Sequence, residues 1–215
     1  MFGVESKVNV SIMLPSVVVE PVRAAVAPLV GRTPPIRQER LSGIHNPWGA
    51  TATLTDPWAF LDLCEHTLLV DAVASLVGPD VILWDSELYL CADDYDAFVK
   101  AGREGRYWPL ESLAGAVALV PLLPAVVANV IDVRQISANT LAQLSPETPL
   151  YVIRYMPAAH RFSRDAKLPA NRLGMEEQPL VNYTTRPLWL VRGKDHAGND
   201  FVTGFSASAP HWASW

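Results

Sequence analysis

The sequence predicts an α+β fold, a β-sandwich or jelly-roll core packed against N-terminal helices. Three observations carry this. Apolar residues make up 50% of the 215-residue chain and charged residues 18%, a balance that supports one domain with a sizeable core. Between residues 56 and 78 the apolar side chains recur with a helical period. After Gly78-Pro79 the pattern changes to short, turn-bounded runs rich in valine and aromatic residues. The chain, 1–215, therefore reads as a single domain, mainly helical over 1–78 and mainly β over 79–215.

In chain order, Val17–Val30 reads as a short strand running into a helix that ends at Gly31. Thr33-Pro34-Pro35 is a breaker, and Gly43–Gly49 is a loop of turn residues. Asp56 can cap the next helix, with Pro57 at its first position. Its apolar face is Phe60, Leu61, Leu63, Cys64, Leu68, Leu69, Ala72, Val73 and Leu76, and Gly78-Pro79 closes it. Glu65-His66 then falls mid-helix, as a solvent-facing pair. Val81–Trp84 and Glu87–Cys91 read as strands and Asp93–Ala101 as a short helix. Further strands follow at Gly115–Val120, Val126–Val133, Leu150–Met156, Arg186–Val191 and Asp200–Phe205, with a hairpin loop at Gly193–Asn199.

Ala114–Ile131 carries no charge and has the minimum length of a membrane span. Pro121 and Pro124 near its centre would break a helix, so two buried strands joined by a turn fit better. The apolar stretch Val8–Val19 is interrupted by Asn9, Ser11, Pro15 and Ser16 and does not read as a signal peptide. The net charge of −5 supplies no basic face for a phosphate backbone. The expectation is a soluble cytoplasmic protein with no nucleic-acid or membrane partner. Cys64 and Cys91 read as two reduced thiols, and Asp93-Asp94 beside Cys91 argues against a nucleophile there. There is no G-x-S-x-G elbow, P-loop or G-x-G-x-x-G run.

Three motifs, spread over residues 55–160, carry a resemblance. They are Gly78-Pro79-Asp80-Val81 with Trp84, Tyr107-Trp108-Pro109-Leu110, and Asp132-Val133-Arg134 leading to Arg154-Tyr155-Met156-Pro157. Together they resemble the phytanoyl-CoA dioxygenase family. That resemblance implies a double-stranded β-helix, jelly-roll or cupin-like, and iron(II)/2-oxoglutarate chemistry. The family's iron and co-substrate positions depart from the pattern. Gly102 stands at the first histidine, Glu104 at the carboxylate, Gln135 and Ile136 at the second histidine, and Thr148 and Pro149 at the 2-oxoglutarate arginine. The stretch between Glu104 and Gln135 is also short for the family, so the barrel is either abbreviated or completed by strands from elsewhere, a second subunit included.

No histidine pair shows metal-ligand spacing, and His160 is the one nearest the expected barrel mouth. No metal site and no cofactor are expected. Strand alternation is expected to turn Glu104 and Arg154 inward as catalytic candidates. Trp84, Glu87, Tyr89, Arg103, Arg106, Tyr107, Trp108 and Arg186 are the candidate substrate-binding residues around them. The plainer alternative leaves Arg103, Glu104 and Arg106 in an exposed loop. The expected function is binding of a small organic or acyl substrate without iron or 2-oxoglutarate, as a non-oxidative tailoring enzyme or pseudo-oxygenase. The alternatives are a hydroxylase with atypical iron ligands and a dimeric partner-binding module. A homodimer is expected near Gly115–Val133, where the missing strands would leave Val126–Val133 as an open apolar edge and Ala114–Ile131 carries no charge to guard it.

Overall fold

The structure, a computed structural model, describes residues 9–30, 40–110, 112–137, 144–177 and 184–201. Its strands are β1 (Asn9–Leu14), β2 (Arg40–Ser42), β3 (Val81–Tyr89), β4 (Ala116–Pro121), β5 (Val126–Asp132), β6 (Leu150–Pro157) and β7 (Trp189–Arg192). Its helices are α1 (Ser16–Val30), α2 (Pro57–Glu65), α3 (Thr67–Val77), α4 (Ala92–Lys100) and α5 (Pro169–Glu177). All seven strands join one antiparallel sheet in the order β1-β5-β4-β6-β3-β2, with β7 beside β2 on the same edge of β3. The α+β class is therefore present, with one sheet among the described residues in place of two facing sheets. No helix among the described residues is long and apolar enough to cross a membrane.

Helices cover both faces, because both faces are apolar. Ala118, Val120, Ala128, Val130, Ile153 and Tyr155 pack beneath α1, α2 and α3. Val117, Leu119, Ile131, Val152 and Met156 alternate with them and pack beneath Tyr95, Phe98, Tyr107 and Trp108. The two core strands expected within Ala114–Ile131 are β4 and β5, joined through the proline turn.

Several elements differ from expectation for local reasons. The single helix expected from Pro57 to Leu76 is two. Asp56 caps α2 by accepting from the Trp58 amide, but His66 at ψ 129° is extended and restarts the chain as α3. Glu65-His66 is thus a helix junction, with Glu65 exposed and His66 half-buried. β1, β2 and α5 fall where no regular element was expected, and Val17 lies in a helix that already starts at Ser16. The edge expected to be open at Val126–Val133 is covered, since β1 pairs with β5 from Asn9↔Ile131 to Leu14↔Val126. β4, also placed at that edge, lies inside the sheet between β5 and β6. The strand expected over Asp200–Phe205 lies almost wholly outside the described residues.

β3 is one strand where two were expected, and it contains a bulge. Its register against β6 runs Leu83↔Tyr155 and then Asp85↔Arg154, so two residues advance opposite one. Trp84 and Asp85 consequently face the same layer, and Glu87 and Tyr89 follow on that side. Gly115 shows how tightly this layer is built. A Cβ there would lie 2.3 Å from the Trp108 ring and 2.4 Å from the Tyr155 carbonyl, so only glycine fits.

Candidate functional site

The bulge gathers an ion-pair network under α4. Arg154, fully buried on β6, grips Glu104 with two hydrogen bonds, Nε to Oε1 at 2.7 Å and Nη2 to Oε2 at 2.9 Å. Its Nη1 reaches Asp85 at 3.0 Å and its Nη2 reaches Glu87 at 3.0 Å. Asp85 also meets Arg186 at 2.6 Å. Glu87 meets Arg40 at 3.4 Å and accepts from Tyr89 (2.9 Å) and Ser42 (2.7 Å). Three buried guanidinium groups thus face three buried carboxylates. Aromatic rings close the space around them, with Arg40 over Phe98 and Tyr107 and Arg186 over Trp84. Trp84 and Trp108 meet edge to face at 5.0 Å.

Burial by itself would raise the Glu87 pKa. Arg154 and then Arg40 overcome that and hold it down at about 2. Asp85 moves the other way, because burial outweighs Arg186 and the neighbouring Glu87 charge adds to it. Arg154 stands at the centre of the network, in reach of all three carboxylates.

Most of the expected site residues do converge. Glu87, Tyr89, Glu104, Trp108 and Arg154 are joined by hydrogen bonds, and Arg186 and Trp84 attach through Asp85 and the aromatic layer. Glu104 and Arg154, expected as catalytic candidates, neutralise each other, and no open face of either meets solvent. Tyr107 donates to Glu177 of α5, with Arg40 beside it. Arg103 and Arg106 stay on the exposed side of the turn. Arg103 approaches Glu177 at 3.6 Å, and Arg106 donates to the carbonyls of Ala101 and Gly102. Arg106 is thus exposed, Arg103 half-buried and Glu104 buried.

Sequence reasoning missed Asp85, Arg40 and Glu177. Asp85 was legible, since residues two apart in a strand share a face and Glu87 was already a candidate. Arg40 and Glu177 arrive from short elements that carry little periodic signal. A second polar chain, also missed, crosses the opposite face. Cys64 Sγ lies 3.0 Å from the Tyr151 hydroxyl, which donates to Ser86 at 2.9 Å, and Ser86 lies 2.7 Å from His45 Nδ1. His45 is buried edge-on to Trp189. Burial, with Arg186 adding repulsion, lowers its pKa to about 3.

The residues at the resemblance's iron positions do not fit that metal. Gly102 is the left-handed turn that follows α4 (φ 65°) and has no donor. Glu104 is spent on Arg154, and Gln135 lies in a short helical turn after β5. No group of three or more His, Cys, Asp or Glu side chains is arranged for a metal among the described residues.

An open cavity touches two of the candidate residues, Arg106 and Trp108. A cleft of about 470 Å³ runs between the Glu104–Tyr107 turn and α5. Trp108 forms its inner wall, Leu168, Pro169 and Leu173 its apolar side, and Arg106, Arg172 and Glu176 its rim. It is large enough for a small organic molecule. Compared with protein-family models and with curated proteins, the sequence finds no match.

Proposed function

We propose that this protein binds a small organic anion, such as an acyl carboxylate, in the cleft beside α5. The observation that carries the reading is the pairing of an indole and aliphatic wall with two arginines, Arg106 and Arg172, at one opening. An acyl chain would lie on Trp108 and Leu173, and its carboxylate would meet the guanidinium groups. The ion lattice beneath would act as a rigid floor, holding Trp108 through its Nε1 contact to Glu104 at 3.3 Å. Iron and 2-oxoglutarate have no role in this reading.

The test is thermal denaturation with a panel of short and medium-chain carboxylates and acyl-CoA thioesters. At least one should raise the midpoint and quench tryptophan emission. Arg172→Ala and Arg106→Ala should each weaken it about fivefold, ~1 kcal/mol. A panel without effect, or an effect indifferent to both variants, overturns the reading. Succinate formation dependent on iron and 2-oxoglutarate would instead favour the hydroxylase alternative of the dioxygenase resemblance.

A second reading is a homodimer through β1, which has no partner on its outer edge among the described residues. The supporting observation is that Asn9–Leu14 carries no charge and leaves Met13 76% exposed. Light scattering at low micromolar concentration should give twice 23.6 kDa, and a mass at 23.6 kDa sinks it.

A further inference from the structure

We infer that the outer face of α2, with the Gly43–Gly49 loop beside it, is a docking surface for a basic protein partner presenting arginine or lysine side chains. Two half-exposed tryptophans meet there. Trp58 is 54% exposed and Trp48 49%, and their rings meet edge to face at 6.5 Å. The packing of α2 does not require them, because Ala59, Phe60, Leu61, Leu63 and Cys64 already fill its buried side. Half-exposed indoles leave apolar area in water that a charged residue would not, and tryptophan is the residue most enriched where partners bind.

The same stripe is acidic. Trp58, Asp62 and Glu65 follow at spacings of four and three, so they line one side of the helix over about 10 Å. All three are exposed. Asp71, on the next helix, is paired with Arg192, whereas no cation pairs with Asp62 or Glu65 among the described residues. Indole faces and unpaired carboxylates both attract guanidinium and ammonium groups.

Charge selects the occupant. A second copy docked by two-fold symmetry would set Asp62 and Glu65 against their own equivalents. Nucleic acid is repelled by the same carboxylates. The stripe is longer than a small cation needs, and the chain's net charge of −5 steers a basic surface towards it. This face lies across the sheet from the cleft, since α2 packs with the α1–α3 layer and Trp108 with the other. The inference is thus independent of the small-molecule reading.

The test uses the full chain and a tryptophan-free peptide of about a dozen residues alternating arginine with leucine, followed by tryptophan emission. Binding should weaken with salt. Trp58→Ala and the pair Asp62→Asn with Glu65→Gln should each weaken it about tenfold, ~1.4 kcal/mol. Glu20→Gln on α1 should leave it unchanged. Unaltered thermal midpoints would show that the variants are folded. No binding, equal binding by the variants, or equal binding of a glutamate counterpart overturns the inference. So does competition by tetramethylammonium at the peptide's own concentration. Wild-type self-association that Trp58→Ala abolishes also overturns it, because the occupant would then be a second copy.

Discussion

The two faces of the sheet bury polar groups by opposite strategies. Under α1–α3 the polar atoms are neutral and few, strung as Cys64, Tyr151, Ser86 and His45 through an aliphatic layer. Under α4 and α5 they are ionic and dense, with Arg154 touching three carboxylates inside an aromatic shell. A neutral chain tolerates the loss of one link, because what remains is an unmade hydrogen bond. An ionic lattice does not, because what remains is an unpaired buried charge. The difference implies that mutations on one face should be graded in effect and those on the other abrupt.

The largest effect expected from that contrast is at its ionic centre. Arg154→Met should destabilise by about 3–5 kcal/mol in urea unfolding, as expected for a buried pair stripped of one partner. Neutralising the partners in the same chain, with Asp85→Asn and Glu104→Gln, should restore part of it. If the additional changes deepened the loss instead, packing rather than charge would dominate this face. Trp84→Ala, in the shell of the lattice, should cost about 3–5 kcal/mol as a cavity in a fully packed layer. An unchanged unfolding midpoint would remove Trp84 from that core.

The pH response divides the faces further. His45 is buried in its neutral form, so its folded pKa of about 3 lies below its ordinary value of 6.5. The unfolded chain takes up the proton first. Stability from this group is complete above pH 6.5 and is lost as pH falls towards 3. Glu87 is also depressed, from 4.5 to about 2, so its contribution is lost only as pH falls below 4.5. Asp85 is shifted upward from 3.8, so the folded chain takes up that proton first and its contribution grows as pH falls towards 3.8, opposing the loss from His45. Between pH 6.5 and 4.5 any decline should therefore belong to His45, at up to about 1.4 kcal/mol per pH unit less what Asp85 offsets. His45→Gln should flatten it. A slope unchanged by that variant would move the acid sensitivity to the ionic face.

The smallest expected effect is on the neutral chain. Tyr151→Phe removes the hydroxyl between Cys64 and Ser86 and should cost about 1 kcal/mol, measured by the same urea unfolding. A loss as large as that of Arg154→Met would abolish the distinction between the faces.

Much of this architecture was legible. The helix cap at Asp56, the strands β4, β5 and β6, and the helix after Cys91 follow from caps, prolines and alternation. Arg154, Glu104, Glu87 and Trp108, all named from the sequence as site candidates, lie together in the structure. Their state was not legible, because mutual neutralisation depends on Asp85, Arg40 and Arg186 arriving at the same point. The bulge is the clearest reason. Strict alternation would set Trp84 opposite Asp85 and Glu87, and no residue type near Trp84 announces the extra step. The arrangement as one sheet escaped for a similar reason. β1 and β2 come from a segment whose pattern named no strand, and alternation says which residues are buried but not which strand lies beside which.

The sequence distance between partners in the ion lattice also governs the order of synthesis. Asp85, Glu87 and Glu104 leave the ribosome well before Arg154, which follows Glu104 by 50 positions, and the bond from Arg40 to Glu177 spans 137. At about 5–20 residues per second, a nascent chain carries Asp85 and Glu104 without their guanidinium partners, and an unclosed sheet, for several seconds. Its first portion cannot fold onto this face ahead of the rest, because burying those acids unpaired is unfavourable. The centre of the lattice therefore doubles as a checkpoint. Closure waits for β6, and a chain truncated before residue 150 should remain unfolded and vulnerable to proteolysis.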